Sequence, residues 1–119
     1  MHKVFQIMFF ICLGVIEFLA TTTQHIEIVS SIWDKANHFS AFFVLYILLS
    51  LAYRNLSLSY KVILLFLYAV QIEIVQIFIE GRFFSMLDIV ADCIGVFFGF
   101  LIYKYFLLKI RFLVKQSST

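Results

Sequence analysis

Four apolar runs, separated by short polar segments, dominate the pattern of this 119-residue chain. They lie at about residues 4–20, 36–53, 62–79 and 86–108. Because about 20 apolar residues in a helix cross the hydrocarbon core of a bilayer, each run is long enough, or nearly so, for one crossing. The pattern therefore predicts an all-α integral membrane bundle of four transmembrane helices, formed as a single domain over residues 1–119.

The starts of the first two runs need separate interpretation. The first run follows Lys3 and has some features of a signal peptide, but Glu17 within it and its length favour an uncleaved span. The second run is short, so we expect its helix to begin upstream, near Ser31 or Trp33. Asp34 would then lie in the first turn, where the helix dipole favours an acid.

Composition supports membrane insertion and excludes several other classes. Hydrophobic residues make up 64% of the chain and charged residues 13%, against roughly 45–50% apolar residues in soluble domains. The net charge of +2 is too small to indicate a nucleic-acid partner. Cys12 and Cys93 both lie inside apolar runs, so the sequence supports neither a disulfide framework nor a thiolate metal site.

The distribution of charge predicts an orientation. Cytoplasmic ends of spans are enriched in Lys and Arg. With four spans, both termini share a side with the connection at 54–61, and that side holds seven of the nine basic residues: Lys3, Arg54, Lys61, Lys104, Lys109, Arg111 and Lys115. We therefore predict that both termini are cytoplasmic. The acids all fall in the opposite loops or in the outer halves of the spans.

The third and fourth runs each carry a stripe of polar or small residues if they are helical. The stripes consist of Glu73, Gln76 and Glu80 in the third run and of Asp88, Asp92, Gly95 and Gly99 in the fourth. A charge near the bilayer centre costs on the order of 2.5–3.5 kcal/mol on insertion scales, so we expect the stripes to face each other inside the bundle.

Particular roles follow for these stripes. Arg82, in the turn between the two runs, is expected to pair with Glu73 and Asp88, and Glu73 and Asp92 would share a proton if they are adjacent. Gly95 and Gly99 form a small-xxx-small pattern, which is typical of close helix packing.

The start of the second span carries the remaining candidate chemistry. Asp34 and His38 share a helix face at i and i+4, so Asp34 is expected to orient the imidazole, with Lys35 beside them as an anion-binding group. A single His beside a carboxylate has too few ligands for a metal site, so we predict neither a metal nor a cofactor. The candidate catalytic or ligand-binding residues are Asp34, Lys35, His38, Glu73, Gln76, Arg82, Asp88 and Asp92.

Two segments resemble a known family. WDKANHFSAFFVL is similar to the D-K-x-x-H-F motif of the VanZ-like membrane proteins, and EIVQ with GRFFSMLDIVADCIGVFFG is similar to their second motif segment. The resemblance implies these characteristic positions: Asp34, Lys35, His38, Glu73, Gln76, Arg82, Asp88 and Gly95. Asp92 departs from the pattern, which usually has Asn there. The resemblance also implies a cell-envelope setting in bacteria and a link to resistance against the glycopeptide teicoplanin.

Three functions are compatible with these residues. The favoured one is a multi-pass protein of the bacterial cytoplasmic membrane whose outward-facing polar site binds or modifies an anionic cell-surface, cell-wall or lipid-linked component. The alternatives are a small membrane-embedded enzyme and an ion or transporter subunit, while a purely structural polar network also stays open. Membrane lipid is the expected partner, no nucleic acid is expected, and self-association into an oligomer is left open. For the site we expect His38→Ala to abolish activity and Asp92→Asn to be tolerated.

Overall fold

The computed structural model describes residues 2–21, 28–79 and 85–117, with side chains for 3–21, 35–79 and 85–117. These residues form four helices: α1 (His2–Thr21), α2 (Ile28–Ala52), α3 (Leu58–Ile77) and α4 (Met86–Ser117). All four are long and apolar enough to cross a membrane. The predicted all-α bundle of four membrane-spanning helices is confirmed, and the chain is a multi-pass membrane protein.

Three helices have bounds that differ from the predicted ones. α2 begins at Ile28, so its first turn contains no acid, and the helix-dipole explanation of Asp34 is wrong. α4 continues to Ser117, well past the predicted end at 108. At a rise of about 1.5 Å per residue it is roughly 48 Å long, more than the ~30 Å needed to cross the hydrocarbon core. Most of the basic segment after residue 108 is therefore helical.

α3 also begins earlier than the apolar pattern suggests, because Ser57 caps it. The Ser57 side chain accepts a hydrogen bond from the Tyr60 N–H at 3.4 Å, and its carbonyl accepts one from the Lys61 N–H at 3.1 Å. Lys61, expected in a polar connection, is thus part of a helix. The connection between α2 and α3 shortens accordingly.

The core is built around α2, which contacts the other three helices and packs most extensively against α4. Phe42, Leu45 and Tyr46 of α2 and Leu65 and Ile72 of α3 are almost completely buried. Many large apolar side chains on the outer faces of α1, α3 and α4 are exposed. Such a surface suits a bilayer, where lipid tails replace water as the solvent.

Two glycines allow α4 to approach the α2 backbone closely. A Cβ atom at Gly95 would collide with the Phe39 carbonyl oxygen, and one at Gly99 would lie 3.1 Å from both the Phe43 carbonyl oxygen and the Tyr46 Cβ atom. Gly95 lies one turn after Asp92 on α4. Because Phe39 directly follows His38 on α2, the same contact brings Asp92 and His38 together.

A buried lysine lies at the other end of the bundle. Lys61 is 7% exposed, and its Nζ atom donates to the Ser50 Oγ atom at 3.1 Å. The ammonium group also lies 5.6 Å from the ring centre of Tyr46 and 5.5 Å from that of Tyr103. Aromatic faces stabilise a cation in such surroundings. Ser50 follows His38 by twelve residues on α2, so this lysine is roughly 18 Å along the helix from the histidine.

Candidate functional site

The ring of His38 on α2 lies among three carboxylates from α3 and α4. Its Nδ1 atom is 2.8 Å from the Asp92 Oδ1 atom. Its Nε2 atom faces the Glu73 Oε1 atom at 4.0 Å and the Asp88 Oδ2 atom at 3.8 Å. These four residues are called the carboxylate–histidine cluster below. Lys35 flanks it, with its Nζ atom 3.7 Å from the Asp88 Oδ1 atom.

The start of α4 determines how two of these carboxylates point. Ser85 precedes the helix, and its Oγ atom accepts the Asp88 N–H at 3.3 Å. In a capping box the acid at the position of Asp88 would accept the Ser85 N–H in return. Here the Glu73 Oε2 atom accepts that N–H at 3.0 Å instead. Glu73 therefore joins α3 to the start of α4, and the Asp88 carboxylate is left to face His38 and Lys35.

Burial of its ionisable side chains makes the cluster costly in folding free energy. Glu73 is 0% and Asp92 1% exposed, while the His38 and Asp88 side chains are 12% and 13% exposed. The Glu73 Oε1 and Asp92 Oδ2 atoms have no hydrogen-bond partner among the residues that the structure describes. A buried acceptor left unpaired costs about 1–3 kcal/mol. Both oxygen atoms are thus available to a proton, a cation or a ligand.

The hydrogen bond to Asp92 fixes the chemistry of the ring. With Asp92 ionised, its carboxylate only accepts, so the Nδ1 atom of His38 donates the proton, and in a neutral ring the Nε2 lone pair faces Glu73 and Asp88. A histidine held in this way can act as a general base or as a metal ligand. With three carboxylates against one lysine, the cluster carries excess negative charge among the described side chains. It therefore favours cations over bare anions.

The residues of the polar stripes predicted for α3 and α4 contact different parts of the bundle. Gln76 is 2% exposed, but its Nε2 atom donates to the Ala20 carbonyl at 3.0 Å and so ties α3 to the end of α1. Glu73 and Asp92 lie at different nitrogen atoms of His38. Gly95 and Gly99 are buried against α2. The Asp34 side chain, Glu80 and Arg82 lie outside the described residues, so the expected Arg82 pairing stays a prediction.

Sequence reasoning missed two features of this site. It did not pair His38 with Asp92, 54 residues away, which makes the hydrogen bond that the structure shows, while the expected contact with Asp34 lies outside the described side chains. It also counted too few ligands for a metal. His38, Glu73 and Asp88 place three ligand-type atoms within 4.8 Å of one another, each from a different helix. The S-x-x-D pattern of residues 85–88 was a usable signal for the start of α4.

An apolar groove of about 320 Å³ adjoins the cluster. Its lining includes Val62, Leu65 and Phe66 of α3 and Asp92, Cys93 and Val96 of α4. Asp92 thus belongs both to the groove and to the carboxylate–histidine cluster. The other lining residues are apolar or Cys93.

Comparison with known proteins identified one family. The model of the VanZ/LLP1 family matches residues 2–109. No curated protein and no solved structure matches the chain. The matched range includes all four residues of the carboxylate–histidine cluster.

Proposed function

The chain belongs to the VanZ/LLP1 family, and on this premise we propose that it binds the polar head group of a lipid-linked cell-envelope component in the bacterial cytoplasmic membrane. The head group occupies the carboxylate–histidine cluster. The observation that carries this proposal is the apolar groove, which contains Asp92 at its boundary with the cluster.

The groove favours a lipid-linked ligand over a water-soluble one. Its lining is almost entirely apolar, and it lies between helices that are long enough to cross a bilayer. An apolar chain enters the groove from the bilayer without leaving apolar surroundings, whereas a soluble polar molecule has to give up its hydration to enter it. A chain in the groove places the head group that it carries beside Asp92 and His38.

Charge restricts which head groups fit. Glu73, Asp88 and Asp92 repel a bare anion, and Lys35 already contacts Asp88 at 3.7 Å. The anionic envelope component expected from the sequence, such as a lipid phosphate or pyrophosphate, therefore enters together with a cation. The family link to teicoplanin resistance would then arise from an altered supply or exposure of this component.

A second candidate function is catalysis on the same ligand. The 2.8 Å contact between His38 and Asp92 is the specific observation that favours it, because a carboxylate-held imidazole is suited to general base catalysis. The variant His38→Ala distinguishes an enzyme from a binding protein. An enzyme loses turnover but keeps its bound lipid chain, whereas a binding protein shows no turnover before or after the substitution.

Blocking the groove tests the lipid proposal. Cys93 lines the groove, while its neighbour Ile94 is 44% exposed and is not part of the lining. Cys93→Phe is expected to reduce the copurified lipid-linked component about tenfold, and the matched control Ile94→Phe is expected to leave it unchanged. Mass spectrometry of the lipids that copurify with each detergent-solubilised variant gives the measurement.

The outcomes of this experiment are distinct. Equal lipid occupancy in both variants would show that the groove does not hold the ligand. A polar molecule without an apolar chain, bound equally by both variants, would exclude the lipid-linked class.

A further inference from the structure

We propose that His38, Glu73 and Asp88 bind one divalent metal ion of the Zn²⁺ or Mn²⁺ class between α2, α3 and α4. This goes beyond the lipid ligand proposed above and does not depend on it. The atoms that face one another are the His38 Nε2, Glu73 Oε1 and Asp88 Oδ2 atoms, which we assign as the ligands. One imidazole with two carboxylates is a donor set that suits these metals, whereas Mg²⁺ prefers oxygen ligands throughout.

The distances between these atoms fit an ion better than direct contact. The Nε2 atom of His38 is 4.0 Å from the Glu73 Oε1 atom and 3.8 Å from the Asp88 Oδ2 atom, both too far for a hydrogen bond. Zinc ligands at 2.0–2.2 Å in a tetrahedral arrangement lie about 3.3–3.6 Å apart. All three ligand atoms lie within 4.8 Å of one another, so side-chain movements of roughly half an ångström bring each of them to bonding distance of one ion.

Each ligand also has its second polar atom held by another group of the protein. The Glu73 Oε2 atom accepts the Ser85 N–H at 3.0 Å, and the Asp88 Oδ1 atom lies 3.7 Å from the Lys35 Nζ atom. The Nδ1 atom of His38 is bonded to Asp92, the usual arrangement for a histidine that binds a metal. The atoms that already have partners point away from the centre of the site. The three remaining atoms converge on that centre, as ligand atoms do around a metal ion.

Burial supplies an independent indication. Glu73 is 0% exposed, and its Oε1 atom, which points into this space, has no hydrogen-bond partner within the described part of the chain. Among the described side chains, Glu73, Asp88 and Asp92 outnumber Lys35 by two negative charges when all are ionised. One divalent ion balances that excess and gives the unpaired oxygen atom a partner. Three protein ligands leave at least one coordination position open, as at catalytic metal sites.

Direct metal binding tests this assignment without any lipid. The full-length protein, stripped with a chelator and held in detergent, is dialysed against Zn²⁺ or Mn²⁺, and the bound metal is measured by mass spectrometry and titration calorimetry. We expect one ion per chain in the wild type. Glu73→Gln and Asp88→Asn, which nearly preserve shape, are expected to weaken binding more than about 100-fold, whereas loss of an outer-shell partner typically costs 10–100-fold.

Glu17→Gln is the matched control. Glu17 is also an acid in a membrane-spanning helix, and its Oε2 atom also lacks a partner among the described residues, but its other oxygen atom accepts a hydrogen bond from Gln71 at 2.8 Å. This variant should bind one ion with the wild-type affinity. Asp88→Asn keeps the test decisive if Glu73→Gln does not fold, because the Asp88 side chain is partly exposed in the first turn of α4.

Absorption spectroscopy with Co²⁺ distinguishes this site from metal binding by other residues of the chain. Co²⁺ in the wild-type protein should give the ligand-field absorption of a low-coordinate nitrogen and oxygen site, and His38→Ala should abolish it. The proposal is overturned if the wild type binds neither Zn²⁺ nor Mn²⁺. It is equally overturned if Asp88→Asn keeps the wild-type affinity or if Glu17→Gln loses it. Because no lipid is present, none of these results depends on the proposed function.

Discussion

Asp92 contributes to the site both a negative charge and a hydrogen bond to His38, and two substitutions separate these contributions. Asp92→Asn removes the charge but keeps an oxygen atom that accepts the imidazole N–H at 2.8 Å. Asp92→Leu removes both at similar volume and leaves the N–H unpaired. We expect the Leu variant to be less stable than the Asn variant by about 1–3 kcal/mol in the free energy of unfolding.

Unfolding of the two detergent-solubilised variants by titration with a denaturing detergent gives this difference. The Asn variant should stay close to the wild type, since it loses a buried charge and keeps its partner. Equal stability of the two variants would show that the hydrogen bond between His38 and Asp92 contributes little to the fold.

At the residue scale, the sequence identified the ionisable groups but not their pairing. Helical periodicity links residues three or four apart, so it associated His38 with Asp34 on the same helix. The observed partner, Asp92, belongs to α4, and which residue of one helix meets which residue of another depends on interhelical packing. The polar stripes of the third and fourth runs led us to expect that Glu73 and Asp92 face the interior of the bundle. They could not show that His38 lies between them.

At the element scale, the packing of α4 against α2 depends on two small residues. Gly95→Ala places a methyl group against the Phe39 carbonyl oxygen, and rigid backbone on both sides prevents easy relief. Gly99→Ala meets the Phe43 carbonyl oxygen and the Tyr46 side chain at 3.1 Å. Overpacking of this kind costs about 1–3 kcal/mol, and we expect Gly95→Ala to lie at the upper end and Gly99→Ala at the lower.

Gly14→Ala is the control for this pair. A Cβ atom at Gly14 meets nothing within 4 Å, so the substitution should stabilise α1 by up to about 1 kcal/mol through helix propensity. Measuring the free energy of unfolding of Gly14→Ala, Gly95→Ala and Gly99→Ala tests this predicted order of stability. If Gly95→Ala were as stable as Gly14→Ala, close approach of α2 and α4 would not be what positions Asp92.

Helix number and membrane character followed from the sequence because apolar runs of about 20 residues have few alternatives to spanning a bilayer. Helix ends did not follow as well, because local polar groups decide them. The caps at Ser57 and Ser85 start α3 and α4, while α2 and α4 extend into segments whose polarity resembled loops. The groove beside Asp92 arises only from packing and has no signal in the pattern.

At the scale of the whole molecule, the two buried polar groups divide the bundle by charge. The carboxylate–histidine cluster lies at one end, and Lys61 with Ser50 lies at the other. Lys61 and Glu73 are twelve residues apart on α3, which corresponds to roughly 18 Å along the helix. The layer between them contains Leu65, Ala69 and Ile72, which are at most 2% exposed. The acidic and basic ends are therefore separated by a layer of buried apolar side chains.

This separation bears on the orientation in the membrane. Basic residues favour the cytoplasmic side, and the Lys61 end also carries Arg54 in the connection between α2 and α3. We therefore expect both termini to be cytoplasmic and the carboxylate–histidine cluster to lie toward the outer face. Reporter fusions at Gln24 and Thr119, one active only outside the cytoplasm and one active only within it, should locate Gln24 outside and Thr119 inside. Reporters on the same side would contradict four crossings. The inverted result would place the cluster toward the cytoplasm, where an outward-facing envelope ligand could not reach it from the cell surface.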